Sequence, residues 1–134
     1  MSSLKEKYEQ YVAQMRRIQD INSTLALLHW DNEVNAPSKG ASFRAQQIAT
    51  LSATAHDWTT DKQLGELLQE LYAQRDLLSV NEAKNVELSL ELYNTENKLS
   101  REFVKAFSNA KSNAFRTAGD QSHFTTQSKI HVYL

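Results

Sequence analysis

Four side chains in this sequence are of types that bind metal ions and lie near one another in the chain: His29, Asp31, Glu33 and His56. A zinc site takes three or four ligands, from imidazole nitrogen or carboxylate oxygen. On a helix, His29 and Glu33 stand one turn apart and share a face, whereas Asp31 points elsewhere. Two ligands are too few. A third would have to come from another helix, and His56 is the plausible donor. The spacing therefore favours packing and hydrogen-bonding roles for these groups, and no metal ligand is assigned. Asp31 has a simpler partner in Arg44, across the break that Pro37 and Gly40 introduce.

Other chemistries need patterns that are missing. A zinc peptidase helix carries His-Glu-x-x-His, where two histidines one turn apart hold the ion and the glutamate activates water. None of the four histidines is followed by glutamate. A four-helix di-iron site needs Glu-x-x-His on two helices, and no glutamate here has a histidine three residues on. Three scattered glycines give neither a nucleophile elbow nor a phosphate loop, and without cysteine there is no thiolate or disulfide. No catalytic residue and no cofactor-binding residue is assigned.

The elements that position these groups read as helices. With three glycines, one proline and no alternating strand patches, the chain is expected to be all-α, a long N-terminal helix packed with about four shorter antiparallel ones. Ser3 and Glu6 form a capping box for the first helix. From there Leu4, Tyr8, Tyr11, Met15, Ile18, Asn22, Leu25 and His29 make a seam of roughly 3.5-residue period, widened by Val12, Ile21 and Leu28. The seam is expected to pack within one bundle, with a two-chain coiled coil as the alternative. Pro37 ends this helix and the next begins near Ala41, presenting Arg44, Ile48, Leu51, Ala55 and Trp58. Trp30 and Trp58 are expected in the core between the two. Thr60 and Gln63 predict a cap for a third helix with a stripe of Leu64, Leu67, Leu68, Leu71 and Tyr72. Ser79 and Glu82 cap a fourth, with Ala83, Val86, Leu90, Tyr93 and Asn97 on one face. Ser100 caps a fifth, whose buried residues are expected to be Phe103, Val104, Phe107, Ala110 and Ala114. The short connections predict that successive helices are antiparallel neighbours.

The stretch over residues 25–51 also resembles a known family. Leu25, Leu27, Leu28, Trp30, Asp31, Glu33, Pro37, Gly40, Arg44, Gln47, Ala49, Leu51 and His56 stand in the register of the N-terminal region of the thermostable (Taq-type) zinc carboxypeptidases. Ala36 takes the place of the usual methionine, a loss of packing volume and not of chemistry. The likeness continues more loosely through Leu64-Gly65-Glu66-Leu67-Leu68, Asn81-Glu82-Ala83-Lys84-Asn85-Val86 and Glu102-Phe103-Val104, and thins after about Ala114. The resemblance implies largely helical homodimers that remove C-terminal residues from peptides with a zinc or cobalt ion. It also implies N-terminal helices that help roof a substrate channel, making Trp30, Asp31 and Arg44 support or rim residues. No catalytic residue of the family maps onto this chain. The expectation is a non-catalytic N-terminal helical part of a metallocarboxypeptidase, partnered by a second copy or by the missing catalytic domain. The alternative is a stand-alone helical self-association or protein-interaction module.

Composition sets the remaining bounds. A chain of 134 residues suits one domain, expected over residues 1–118. Residues 119–134 read as an irregular tail, and their apolar ending Ile130-His131-Val132-Tyr133-Leu134 suits a truncation or shifted reading frame as readily as a natural end. A net charge of −1 offers no basic field for nucleic acid or anionic lipid. No apolar run approaches the roughly 20 residues that span a bilayer, and the N-terminus has no signal-peptide core. A cytoplasmic protein is expected.

Overall fold

The computed structural model describes residues 2–35 and 39–118, with side chains as far as residue 113. Five α-helices follow one another: α1 (Leu4–Val34), α2 (Ala41–Thr59), α3 (Lys62–Ala73), α4 (Val80–Glu96) and α5 (Arg101–Ala118). A short 3-10 turn, Arg75–Leu77, lies between α3 and α4. No strand occurs among the described residues. The residues expected to form the tail, 119–134, lie outside them.

Local chemistry sets most of the helix starts. The Ser3 and Glu6 side chains exchange hydrogen bonds with each other's backbone N–H, as do those of Ser79 and Glu82, so two orphan donors are satisfied at each end. Ser100 Oγ accepts from the N–H of Phe103 at 3.1 Å. The cap of α3 is Asp61, whose carboxylate accepts from the Leu64 N–H at 3.0 Å, and not Thr60. The carboxylate is the stronger acceptor beside the positive helix end, and Thr60 Oγ1 instead donates back to the His56 carbonyl.

The helices form three parallel rods. At 31 residues α1 is about 46 Å long and makes one rod alone. Arg44 meets Asp31 near its C-terminal end, and Lys7 meets Glu70 at 2.9 Å near its N-terminal end. Hence α2 and α3 lie end to end along α1, both antiparallel to it. The third rod is α4 followed by α5: Tyr11 on α1 meets Ser89 on α4, and Arg101 on α5 meets Asp57 on α2. The joints from α2 to α3 and from α4 to α5 therefore carry the chain onward. Only the α1–α2 and α3–α4 connections reverse it, so successive helices are antiparallel neighbours in two cases of four.

Two apolar clusters fill the space between rods. The first joins Tyr11, Met15 and Ile18 of α1 to Leu64, Leu67, Leu68 and Leu71 of α3 and Val86 of α4. Tyr11 is wholly buried, its hydroxyl 2.8 Å from Ser89 Oγ; burial pushes its pKa up to about 12, against the lowering effect of that hydrogen bond. The second cluster joins Ile21 and Leu25 to Ile48 and Ala55 of α2. Trp58 packs against both.

The seam of α1 is buried as expected through Tyr11, Met15, Ile18 and Leu25, but Ile21 takes the place of Asn22, which is exposed. Beyond Ile18 the helix packs against Ile48 and Ala55 of α2 and no longer against α3 and α4, and Ile21 with Leu25 carries that face. Trp30 is likewise not in the core: it is 56% exposed. The packed face there is carried by Leu25 and Leu28, and a residue two places on lies about 200° round the helix.

The largest departure is α5. It lies chiefly along α2, whose Ala41, Ala45, Ala49 and Ala53 are buried four residues apart and belong to neither apolar cluster. Such small side chains let helix axes approach closely. The inner face of α5 is correspondingly small or polar, with Ser112 buried and Val104 and Ser108 half-buried. Phe103 and Phe107, expected to be buried, point to solvent, and Ala110 is exposed as well. Ala114 lies beyond the described side chains.

Candidate functional site

The last turns of α1 and the first of α2 hold the residues that the sequence singles out. The α1 helix carries His29, Trp30, Asp31 and Glu33, and α2 begins after the break with Gly40 as its N-cap, its carbonyl accepting from the Arg44 N–H. This helix start places Arg44 one turn into α2, facing α1. Its Nη1 donates to Asp31 Oδ2 in an ion pair whose side chains keep 27% and 34% of their exposure. Partial burial keeps such a pair from full solvent screening, and it contributes about 1 kcal/mol to the α1–α2 turn. The Asp31–Arg44 pairing is thus one that the sequence suggests and the structure makes.

The histidines are drawn apart. His56 is buried on α2, and its Nδ1–H donates to Glu96 Oε2 on α4 at 3.1 Å. Nothing in the sequence marks Glu96 for this role, since 40 residues separate the two. His29 is half-buried at the α1 end, near Lys111 of α5. Its pKa is held below the ordinary value, first by burial and then by the Lys111 charge, with Glu33 acting the other way.

These pairings keep the four candidate groups from meeting at one point. No group of three or more His, Cys, Asp or Glu side chains converges among the described residues. Asp31 is engaged by Arg44 and His56 by Glu96, so the trio of His29, Glu33 and His56 is not assembled. The donor set does not fit a peptidase zinc ion. A concavity of about 410 Å³ opens instead at the α2–α3 joint, beside Arg17, Asp57, Trp58 and Asp61. Its charges are also committed: the Arg17 guanidinium lies 4.8 Å over the Trp58 ring, and Arg101 Nε donates to Asp57 Oδ2 at 2.7 Å.

What the site can do is hold four helices in register. Asp31–Arg44 fastens α1 to α2, His56–Glu96 fastens α2 to α4, and Asp57–Arg101 fastens α2 to α5. Beside this framework Trp30 stands exposed, an aromatic surface on a braced turn.

Comparison with known proteins finds relatives of this chain. The model of the family described as Carboxypeptidase Taq (M32) metallopeptidase matches residues 10–130, running past Ala118 into the segment expected to be irregular. The chain is 32% identical over 115 residues to Carboxypeptidase 1 of Bacillus subtilis (strain 168), covering 83% of this chain and 23% of that protein. Two solved structures are also similar. One, described as "BsuCP Crystal Structure", superposes with a TM-score of 0.78 at 29% identity, over 81% of this chain and 22% of its own. The other, "The Structure of CHT", gives 0.67 at 40% identity, over 83% and 22%. The chain therefore spans less than a quarter of the length of these relatives.

Proposed function

Since this chain belongs to the Carboxypeptidase Taq (M32) metallopeptidase family, we propose that it is a non-catalytic N-terminal helical part of a metallocarboxypeptidase. The observation that carries the reading is a fold matching 22% of a related structure at a TM-score of 0.78, in a chain with no His-Glu pair. On this reading the zinc or cobalt ion and the hydrolysis of C-terminal peptide bonds belong to sequence outside this chain. No catalytic step is routed through its residues. The pairings of Asp31, His56 and Asp57 brace a scaffold, and exposed Trp30 serves as a rim residue toward a peptide channel. The working partner is the catalytic domain, within an assembly that is homodimeric and cytoplasmic.

The alternative is a module that self-associates through the seam of residues 4–29 or through an apolar strip left uncovered by the missing domain, and the first of these surfaces is occupied within the chain. Tyr11, Met15, Ile18 and Leu25 are spent on the chain's own α2, α3 and α4. The deciding assay is hydrolysis of blocked dipeptides by the purified chain with added cobalt. No turnover is expected; turnover proportional to protein and abolished by a chelator would overturn the proposal.

A further inference from the structure

The outer face of α5 carries an apolar stripe without cover among the described residues. Phe103 and Phe107 stand one turn apart, their rings stacked at 6.0 Å with planes 15° apart, and they are 54% and 59% exposed. Ala110 is exposed on the same side. An amphipathic helix ordinarily turns such a stripe to a core and its polar face to water. This one does the opposite, giving Ser108 and Ser112 to the alanines of α2. The inversion suits a helix covered on two sides, once by α2 and once by something else.

Size and length decide what that is. A phenylalanine offers roughly 200 Å², so the two rings expose about 220 Å² between them at those fractions. A stable interface buries about 800 Å² on each partner, which makes a second copy meeting this one ring to ring undersized. An occupant that wraps α5 from both flanks has no such limit. More than three-quarters of each relative's length has no counterpart in this chain.

We propose that the Phe103–Phe107 face of α5 is the docking surface for the remaining, catalytic part of an M32 carboxypeptidase, which receives it in an apolar groove between helices. The assignment rests on the functional reading above and adds the face, the anchor residues and the chemistry of the partner groove.

The test co-expresses the full chain with tagged Bacillus subtilis Carboxypeptidase 1 from which the segment matching this chain has been deleted. The deleted segment itself, co-expressed in parallel, is the reference partner. The wild-type chain is expected to be retained on the tagged protein and to raise its soluble yield. The double variant Phe103→Asp, Phe107→Asp is expected to lose at least ten-fold in retention, while its own thermal unfolding is unchanged because both rings are exposed. Equal retention of wild type and variant overturns the face and leaves the functional reading intact. Loss of the wild-type chain while the reference segment is retained overturns both. A wild-type dimer in sedimentation that the same substitutions disperse overturns the proposal by giving the face to a second copy.

Discussion

His29 shows how one half-buried side chain ties this fold to pH. Burial and the charge of Lys111 disfavour the imidazolium in the folded chain, whereas the unfolded chain binds that proton with the ordinary pKa of 6.5. Below that value the unfolded state takes up more protons than the native state, and stability is lost as pH falls toward the lowered native pKa. Above it the contribution is complete. Glu33 opposes the effect without reversing it. Replacing His29 by Gln removes the linkage, so the melting temperature of wild type relative to H29Q is expected to fall between about pH 7.5 and pH 5. Melts of both proteins across that range check this. A flat difference would mean that the ring is charged in the fold.

At the scale of helices, the α3–α4 pairing turns on the absence of one side chain. A β-carbon on Gly65 would clash with the Cζ and Oη end of Tyr93, so the tip of the tyrosine of α4 lies directly on the backbone of α3. Gly65→Ala brings up to about 1 kcal/mol of helix propensity and costs about 1–3 kcal/mol in displaced packing. The displacement should win, giving a net loss near ~1 kcal/mol in denaturant unfolding. In a Tyr93→Ala background the same change should become stabilising, and failure of that sign reversal would refute the close approach. The α3 stripe itself is legible in the sequence because Leu64, Leu67, Leu68 and Leu71 announce their period. The serine caps are legible too, being contained within four residues. The α5 stripe is equally plain as a pattern, yet periodicity identifies an apolar face without saying whether its cover lies in the same chain. Nor does hydrophobic patterning mark the alanine face of α2, since small side chains add little apolar signal however completely they are buried. His56–Glu96 is invisible for a different reason: a contact between rods leaves no trace in local spacing.

Across the whole molecule, the three rods divide into two unequal ends. One end packs large side chains of α1, α3 and α4 around Tyr11 and Leu68; the other holds the smaller cluster of Ile21, Leu25 and Ile48 together with the α2–α5 alanine contact. Burial stabilises in proportion to apolar area, at about 25 cal/mol per Å², so the alanine-rich end has less to hold it. This division also explains why function is less legible than fold. Of the groups that look reactive, Asp31 and His56 are engaged by Arg44 and Glu96 where the ends are braced, and His29 is half-buried beside Lys111. Sequence spacing alone does not distinguish a brace from an active site.

Trp58 is the apolar side chain that touches both clusters, with Arg17 stacked across its ring. Loosening one end therefore strips contacts from the other through this ring, and the chain is expected to melt in one transition. Trp58→Ala should disengage the two ends, so that heating gives two separated transitions. Hydrogen exchange in α2 and α5 would then quicken well before that in α3 and α4. A single sharp transition in the variant would show that the continuous backbone of α1 transmits the coupling unaided.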